Sequence, residues 1–316
     1  MPKLTPPAGR RPVVVVLRPG TAAALTAALS EAGLGGDIVA FRPGEAPPPG
    51  HRADVCLGGN LVDESALAWA DGAAWVHLTG VGHDNVPPGL LDGRVVTNSP
   101  GANAVPVAEF AFAAVLAHAK RLPETWQAGP GARWSDFRLD TLERRVLGVI
   151  GYGHIGQAVA SRARAFGMTV LAHTRTPRPD TPDVSFVSRQ ELAAAADHIV
   201  VAAAATAQTR HLVDRALLAL TRPGVHLVNV SRGSLVDQDA LRPFLDSGHV
   251  ARASLDTVDP EPLPAGHWLR GHPRVMLSPH VAAVWPDSTE QAVARFTANF
   301  RRYLAGEELA DIVLPG

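Results

Sequence analysis

The sequence predicts an α/β protein with two domains, each built on a doubly wound parallel sheet. Short apolar runs suited to buried strands alternate with helical stretches along most of the 316 residues. Pro100 and Gly101 interrupt this alternation, and it resumes at Val146. There an apolar run leads directly into Gly151-Tyr152-Gly153-His154-Ile155-Gly156, and a helical pattern follows the last glycine. A strand, a glycine-rich turn and a helix in this order indicate a parallel sheet with a ligand site at one edge.

Composition excludes several classes of protein. Hydrophobic residues make up 46% of the chain and charged residues 19%, as in globular proteins. A net charge of -1 gives no electrostatic reason to expect nucleic acid or a membrane as a partner. Cys56 is the only cysteine, which excludes an intrachain disulfide and favours a reducing compartment. The N-terminus lacks the apolar core of a signal peptide, and the apolar stretch 108–119 is too short to span a bilayer. We therefore expect a cytoplasmic protein.

Residues 1–99 are predicted to form the first part of a small domain. Thr21 is predicted to cap a helix that runs to Leu29 and is ended by Gly33. The glycine-rich turn Gly80 to Asn85 follows the third predicted strand. The predicted strands are 13–17, 54–57, 75–78 and 94–97.

The segment after Pro100 does not fit the alternation. A long apolar helix is predicted over 108–116, and the stretch 123–138, which holds Trp126 and Trp134, is predicted to be irregular. Apolar and aromatic residues of this kind are enriched at interfaces, so segment 103–140 is predicted to form the contact of a homodimer. The alternative is that it covers a seam between the domains of one chain.

Residues 100–284 are predicted to form a Rossmann-like dinucleotide-binding domain. Its first helix places Ile155, Val159, Ala163 and Phe166 on one face, and Ser188-x-x-Glu191 has the form of a capping box. The six predicted strands are 146–150, 168–172, 199–203, 225–230, 250–255 and 275–278.

A last helix is predicted to begin at Pro286-Asp287-Ser288 and to run to about Leu304. The second sheet offers it nothing further to pair with, so residues 285–316 are expected to return to the first domain. That domain would then be built from both chain ends, and it would be the substrate domain.

The glycine motif has a specific physical interpretation. Gly151 would permit the tight turn, Gly153 the close approach of a pyrophosphate, and Gly156 the packing of helix on strand. The diphosphate would lie on the amides of the first helical turn, where His154 and Ile155 stand. The glycine spacing alone is weak evidence, and the alternative is an ordinary glycine-rich β–α turn. The strand before it and the helix after it favour the dinucleotide site.

Three polar residues follow three successive strands of this domain: Arg232, Glu261 and His280. The carboxyl ends of parallel strands lie at one edge of a sheet, so these side chains are expected to be neighbours. A cation can bind a carboxylate, and an acid beside a histidine can orient the imidazole for proton transfer. Each residue also has an ordinary alternative as a surface arginine, a solvated loop glutamate or a structural histidine. The remaining histidines show no ligand pairing, so we expect no catalytic metal.

Taken together, these motifs resemble the D-isomer-specific 2-hydroxyacid dehydrogenase family, in particular its glyoxylate/hydroxypyruvate reductase-like members. The resemblance runs from about residue 75 to the C-terminus. It implies a split substrate domain, an inserted cofactor domain and, commonly, a dimer. The segments that carry it are Gly80 to Asn85, Asn98 to Gly101, Ala108-Glu109, Gly151 to Gly156, Asn229 to Gly233, Asp256 to Pro262 and Ser278 to His280.

The resemblance also implies roles for individual residues. His280 would donate a proton to the substrate carbonyl oxygen as hydride reaches the carbon, and Glu261 would hold the imidazolium. Arg232 would bind the substrate carboxylate, together with amides around Val81 and Gly82. The cofactor residues implied are Gly151, Gly153, His154, Ile155, Gly156, Thr174, Arg175, Ser231 and Asp256.

The sequence departs from the family pattern at two places. The stretch Ala202 to Thr206 carries Ala204 where the family usually has a proline, and His154 stands where arginine is common. The first departure leaves the contact of this stretch with the nicotinamide open, and the second would let the imidazole touch the diphosphate.

The choice between NAD(H) and NADP(H) depends on the turn after the second strand of the cofactor domain. No Asp or Glu occurs between Tyr152 and Pro179, so the acid that usually binds the ribose hydroxyls is missing. Thr174 and Arg175 stand in its place, and a guanidinium binds a 2′-phosphate through charge-assisted bonds. NADP(H) is therefore predicted over NAD(H), with a solvated Arg175 and NAD(H) bound through Thr174 as the alternative.

Other functions of the same scaffold stay open on sequence alone. A formate or phosphite dehydrogenase would use the same hydride chemistry on a smaller anion, and a nucleotide-sensing regulator or corepressor would use the fold without turnover. The sequence shows no stretch for an appended regulatory domain, which disfavours a long-form phosphoglycerate dehydrogenase. The expected substrate is a small 2-oxo or D-2-hydroxy acid such as glyoxylate or hydroxypyruvate.

Overall fold

The computed structural model describes residues 4–18, 20–58, 62–126 and 137–313. The chain divides into two compact units. The first unit holds Met1–Asn103 and Trp285–Gly316, and the second holds Ala104–Val284. The sequence had suggested boundaries after residues 99 and 284.

The first unit contains a parallel sheet whose described strands have the order β2-β1-β3-β4-β5. The central strands are apolar on both faces because helices and loops cover both sides, as is usual for parallel sheets. The strands are β1 (Val13–Val16), β2 (Asp37–Ala40), β3 (Val55–Leu57), β4 (Trp75–His77) and β5 (Val95–Thr97). The helices before residue 104 are α1 (Thr21–Glu31), α2 (Ala66–Trp69) and α3 (Pro88–Leu91).

Two sequence-based expectations for this unit need correction. The strand β2 was not predicted, because it is a short edge strand whose side chains are exposed or only partly buried. Thr21 does not cap α1: it is the first residue of the helix, and Gly20 with φ 80° precedes it. The Thr21 side chain is buried and makes no capping hydrogen bond.

The second unit is built on a larger parallel sheet, with the order β12-β11-β10-β9-β6-β7-β8 across its described strands. The order reverses between β6 and β9, the topological switch point at which such sheets bind ligands. The strands are β6 (Val146–Ile150), β7 (Thr169–His173), β8 (Ser185–Phe186), β9 (His198–Val201), β10 (Val225–Asn229), β11 (Val250–Leu255) and β12 (Val275–Leu277). The helices are α4 (Ala104–Ala119), α5 (Leu122–Trp126), α6 (His154–Ala165), α7 (Arg189–Ala195), α8 (Arg215–Leu220) and α9 (Gln238–Asp246).

The six predicted strands of this unit are confirmed to within two residues at each end, and the short edge strand β8 was missed. The capping box at α7 is confirmed, because Ser188 and Glu191 make both reciprocal bonds. Phe166 was predicted to share one face of α6 with Ile155, Val159 and Ala163, and this prediction was wrong. Phe166 follows the last helical residue, is 46% exposed, and contacts the Phe112 ring at a centroid distance of 4.9 Å.

The prediction for the segment after α4 was wrong at its start. The stretch was expected to be irregular from residue 123, whereas α5 covers Leu122–Trp126. The helix α4 is also longer than predicted, because the apolar pattern extends one turn toward each end. Residues 127–136, and with them Trp134, lie outside the described residues.

The last helix, α10 (Ser288–Leu304), begins directly after Asp287 as predicted. It packs against α1 and β4 within the first unit. Phe296 stacks on Trp75 with ring centroids 5.2 Å apart and an interplanar angle of 7°, so this helix completes the core on one face of the sheet. No helix in the described ranges is long and apolar enough to cross a membrane.

Candidate active site

The glycine motif joins β6 to α6 at the switch point of the larger sheet. Gly151 has φ 99°, and a Cβ there would lie 2.5 Å from the backbone of Ala203, so only glycine fits the turn. A Cβ on Gly156 would overlap the carbonyl oxygen of Gly151. Both residues are therefore required by contacts within the protein, as the sequence predicted.

Gly153 differs from its two neighbours in the motif. Its backbone angles, φ -84° and ψ -159°, are open to any residue, and a Cβ there would meet nothing within 4 Å. The protein itself gives no reason for glycine at this position, whereas a diphosphate on the first turn of α6 would need the space. His154 and Ile155 begin that helix, so their amides face this space without intrahelical acceptors. The residues present fit a dinucleotide.

The loop after β7 lies directly beside this turn. The Gly151 amide donates to the His173 carbonyl at 2.9 Å, which holds the end of β7 next to the motif. Thr174 Oγ1 donates to the carbonyl of Thr176 at 2.7 Å, and the Arg175 side chain is exposed. The structure therefore brings both predicted ribose-side residues to the same edge of the sheet as the glycines. Which cofactor they select stays a prediction.

His280 and Glu261 form a hydrogen-bonded pair. His280 Nδ1 lies 2.8 Å from Glu261 Oε2, and the other carboxylate oxygen accepts from the Val258 amide at 3.0 Å. About a third of each side chain is exposed, 37% for the histidine and 30% for the glutamate. Because Nδ1 is bound to the carboxylate, Nε2 is the ring nitrogen left for proton transfer.

In this pair, the pKa of each partner is shifted in the direction that favours its charged form. The hydrogen bond with Glu261 raises the pKa of His280 above its usual value, and this outweighs the opposing effects of burial and of the nearby Arg232 charge. Burial pushes the pKa of Glu261 upward, but the bonds from His280 and the Val258 amide, with the charges of His280 and Arg232, bring it below its usual value. Imidazolium beside carboxylate is the arrangement expected for a general acid held ready to donate.

Arg232 lies in the loop after β10, and buried polar groups hold this loop. Asn229 Nδ2 donates to the Arg232 carbonyl at 2.8 Å, while Asn229 Oδ1 accepts from the Ser231 amide at 3.1 Å. The Ser231 hydroxyl donates to the carbonyl of Ala203, which joins this loop to the one that contains Ala204. The guanidinium acts electrostatically on both Glu261 and His280, so the structure groups the three predicted catalytic residues.

Asp256 has a role that the sequence did not indicate. Its carboxylate is buried and accepts from the Ser278 hydroxyl at 2.6 Å and from the amides of Val281 and Ala282, each at 3.0 Å. These bonds span the loop that presents His280. The residue was predicted to contact the cofactor; in the described structure its carboxylate binds this loop, and contact with a cofactor stays a prediction. A buried acid at the end of an apolar strand was the signal available in the sequence.

Val81 and Gly82 belong to the first unit, in the turn after β4. The Val81 side chain is 51% exposed, and its carbonyl accepts from Asn98 Nδ2 at 2.9 Å. The turn stands at the carboxyl end of its strand, where parallel sheets bind ligands. Binding of a substrate carboxylate by these two residues stays a prediction.

Comparison with known proteins identifies the family. Residues 112–282 match the family model described as D-isomer specific 2-hydroxyacid dehydrogenase, NAD binding domain, and this match covers more than half of the chain. The chain belongs to the D-isomer specific 2-hydroxyacid dehydrogenase family. Membership accounts for the two parallel sheets and for the glycine motif at the switch point of the larger one.

Similar members of the family include enzymes with different names. D-3-phosphoglycerate dehydrogenase of Mycobacterium tuberculosis is 33% identical over 323 residues, which span 96% of this chain and 59% of that protein. Glyoxylate reductase of Thermococcus gammatolerans is 33% identical over 259 residues, covering 75% of this chain and 77% of that protein. The chain therefore spans less than two thirds of the phosphoglycerate dehydrogenases that it matches.

A family member of known structure matches nearly the whole chain. The D-isomer specific 2-hydroxyacid dehydrogenase from Xanthobacter autotrophicus Py2, crystallised in complex with NADPH and MES, is 28% identical. The two structures superpose with a TM-score of 0.81 over 97% of this chain and 99% of that one.

Proposed function

We propose that this protein is an NAD(P)-dependent oxidoreductase that reduces a small 2-oxo acid to the D-2-hydroxy acid, with NADP(H) as the preferred cofactor. Glyoxylate and hydroxypyruvate are the substrates proposed first. The observation that carries the proposal is the His280–Glu261 pair, hydrogen-bonded at 2.8 Å under the charge of Arg232. A buried structural histidine would be kept neutral by burial, whereas this one is partly exposed and its charged form is favoured.

The proposed chemistry divides between cofactor and protein. A reduced nicotinamide, when bound, supplies the hydride to the carbonyl carbon. His280 donates its Nε2 proton to the carbonyl oxygen as that oxygen gains charge, and Glu261 stabilises the imidazolium until the proton leaves. Arg232 binds the carboxylate of the substrate through charge-assisted hydrogen bonds and keeps the carbonyl polarised. In the oxidative direction the neutral imidazole accepts the proton.

The comparisons support the two finer parts of this proposal to different degrees. One relative is named glyoxylate reductase, and the alignment covers 77% of that protein. This supports a small 2-oxo acid as the substrate. The NADPH complex of the Xanthobacter protein, which is 28% identical, supports NADP(H). A cytoplasmic location and the homodimer stay predictions from the sequence.

The decisive experiment measures turnover of glyoxylate, hydroxypyruvate, pyruvate and phosphohydroxypyruvate with NADPH and with NADH. His280→Asn is expected to lower kcat by about 10² to 10⁴, the usual contribution of a general acid, while NADPH binding by fluorescence is retained. His249→Asn is the matched control, because His249 bonds Thr221 and lies outside the proposed site. Tight NADPH binding by the wild type without turnover of any of the four acids would contradict the proposal and would favour a nucleotide sensor or a dehydrogenase that acts on another anion.

A further inference from the structure

Four side chains of the first unit form a continuous hydrogen-bonded chain inside the protein. Trp75 Nε1 donates to Thr97 Oγ1 at 2.8 Å, and Thr97 Oγ1 lies 2.7 Å from His77 Nδ1. His77 Nε2 lies 3.1 Å from Ser99 Oγ, and the Ser99 hydroxyl donates to the Leu78 carbonyl at 3.2 Å. All four side chains are at most 1% exposed. A polar chain at this depth is costly unless every member has a partner.

The proton positions in this chain follow from counting donors. The single Ser99 hydroxyl proton goes to the Leu78 carbonyl, so Ser99 Oγ must accept, and His77 Nε2 must carry a proton. Burial lowers the pKa of His77 to about 4, so the ring is neutral at pH 7 and Nδ1 is an acceptor. Thr97 therefore donates to Nδ1 while it accepts from Trp75. One tautomer of His77 satisfies the whole chain.

The groups around His77 leave this tautomer undisturbed. Its ring contacts Phe296 and Trp75 edge to face, with centroids 5.7 and 6.1 Å apart. The hydroxyls of Thr97 and Ser99 are the partners of its two ring nitrogens, and burial is the cause of its lowered pKa. Both of these hydrogen-bond partners are neutral.

Ser99, the last member of this chain, is hydrogen-bonded to the turn that follows β4. The Ser99 amide donates to the Gly80 carbonyl at 3.3 Å, and the neighbouring Asn98 Nδ2 donates to the Val81 carbonyl at 2.9 Å. In a planar trans peptide the N–H points opposite to the C=O of the same unit. With the carbonyls of Gly80 and Val81 turned toward residues 98 and 99, the amides of Val81 and Gly82 point away from them. These are the two amides predicted to bind the substrate carboxylate.

We propose that His77, through Thr97 and Ser99, is a positioning residue that orients the Val81 and Gly82 amides for the carboxylate of the substrate. The inference rests on the proposed function, because it supplies that function's carboxylate site. His77 does not touch the substrate. It fixes Ser99, and Ser99 fixes the peptide plane between Gly80 and Val81.

The kinetic test uses three variants and one control. Ser99→Ala and His77→Leu are expected to raise KM for the 2-oxo acid roughly tenfold, the effect of about one lost hydrogen bond, with kcat and NADPH affinity nearly unchanged. His77→Gln is expected to recover much of the KM, because its side-chain amide can donate to Ser99 in place of Nε2. Leu29→Ala removes a buried side chain of the same unit, on α1, and should lower stability without raising KM. An unchanged KM in both Ser99→Ala and His77→Leu, or an equal rise in Leu29→Ala, overturns the proposal.

Two measurements that do not depend on turnover separate this proposal from the function on which it rests. Nitrogen NMR of labelled histidine should show that His77 is neutral and protonated on Nε2 at pH 7. Observation of the other tautomer or of an imidazolium would overturn the proposed hydrogen-bond directions and with them the proposal. Binding of oxamate should shift the amide signals of Val81 and Gly82 and should weaken in Ser99→Ala. If oxamate binds in this way but no 2-oxo acid is turned over, the proposed function fails while the positioning role stands.

Discussion

His280 and Asp256 are joined by a backbone bond, the His280 amide donating to the Asp256 carbonyl at 2.9 Å. His280 has φ 54°, a left-handed conformation that is costly for a residue other than glycine. The Asp256 carboxylate binds Ser278 on one side of the histidine and Val281 and Ala282 on the other. The acid thus holds the loop on both sides of the strained residue, whose imidazole lies beside Glu261.

Asp256→Ala is expected to lower both activity and stability. It leaves the Ser278 hydroxyl and the amides of Val281 and Ala282 without their acceptor. The cost is about 1–3 kcal/mol for each unsatisfied group that solvent cannot reach, and the Ala282 amide is the most buried of the three. Urea denaturation should show a loss of about 2–4 kcal/mol, and kcat should fall at least tenfold as His280 relaxes. Asp256→Asn keeps one acceptor oxygen and should lie between this variant and the wild type. Full kcat in Asp256→Ala would contradict the positioning role.

Glu261→Gln is expected to move the pH dependence of the reductive reaction. Reduction needs the imidazolium, so activity falls as pH rises through the His280 pKa. Glu261 raises that pKa, and its replacement by a neutral amide lowers it, so the alkaline limb of kcat/KM should shift to lower pH. The oxidative reaction needs the neutral imidazole, and its acidic limb should shift in the same direction. Profiles of kcat/KM for both directions check this prediction, and superimposable profiles for the two proteins would exclude the pairing.

Three histidines of the second unit should make the protein sensitive to acid. His118 stacks on His226 at 4.4 Å, and His198 Nδ1 lies 3.3 Å from His226 Nδ1. Burial lowers the pKa of all three, that of His198 to about 4 and that of His226 well below its usual value; His118 itself and the Arg252 charge add to the effect on His226. Between the lowered pKa values of the native state and the ordinary histidine value of about 6.5, the unfolded chain binds protons that the native state does not. Stability therefore falls as pH falls through this range.

Thermal unfolding at pH 7.5 and pH 5 measures this effect. The Tm should drop at the lower pH, and His118→Phe should reduce the drop, because it removes one titrating ring and relieves the others of its charge. The Arg252–Glu124 pair at 2.7 Å and the carboxylates of Asp140 and Asp197 also face the cluster and are unchanged in this variant. An identical drop in both proteins would show that other groups dominate acid unfolding.

The sequence was informative where apolar runs end in polar residues. Arg232, Glu261 and His280 each follow a strand of the larger parallel sheet, and the parallel register alone brings such positions to one edge. The same register pairs His198 with His226 on neighbouring strands. The contact of His118 with these two residues depends on the packing of α4 over the sheet, and a single sequence contains no periodicity that reports it.

Short edge strands and the hydrogen bonds of buried side chains could not be predicted from the sequence either. The strands β2 and β8 have four and two residues, too few for a periodic pattern. The resemblance to the family implied a cofactor contact for Asp256, and only the structure shows its carboxylate binding the His280 loop. For Thr21, the residue type favoured a capping position, but the residue is the first of the helix and its side chain is buried.

A homodimer is predicted through segment 103–140. Val105 on α4 is 53% exposed and Trp126 on α5 is 79% exposed, so this segment presents apolar side chains at its surface. An apolar groove of about 240 Å³ runs along α4, lined by Phe110, Ala113, Ala114, Ala117, Met276 and Leu277 among others. Light scattering at micromolar concentration should give the mass of two chains. The double variant Val105→Glu and Trp126→Glu should give one chain, while Leu220→Glu on α8 should remain dimeric. A monomeric wild type would contradict the prediction.

The last prediction is that the protein prefers NADP(H), because residues in the loop after β7 would bind the 2′-phosphate. A carboxylate at the ribose would repel a 2′-phosphate, and Thr174 stands there instead. The next acid along the chain, Asp180, accepts from the Phe186 amide at 2.6 Å and so is bound within its own loop. Arg175 and Arg178 are exposed, with guanidinium groups suited to a 2′-phosphate.

Arg175→Ala should therefore reduce kcat/KM for NADPH by about 10- to 100-fold, the effect of one charge-assisted hydrogen bond, and should leave the value for NADH unchanged. Arg178→Ala should have a smaller effect of the same kind, and Arg215→Ala, an exposed arginine on α8, should have none. Thr174→Asp should reverse the preference, because it restores the carboxylate that binds the ribose hydroxyls and repels the phosphate. Equal kcat/KM values for the two cofactors in the wild type, or a preference for NADH, would mean that Arg175 is a solvated loop residue and that Thr174 alone binds the ribose.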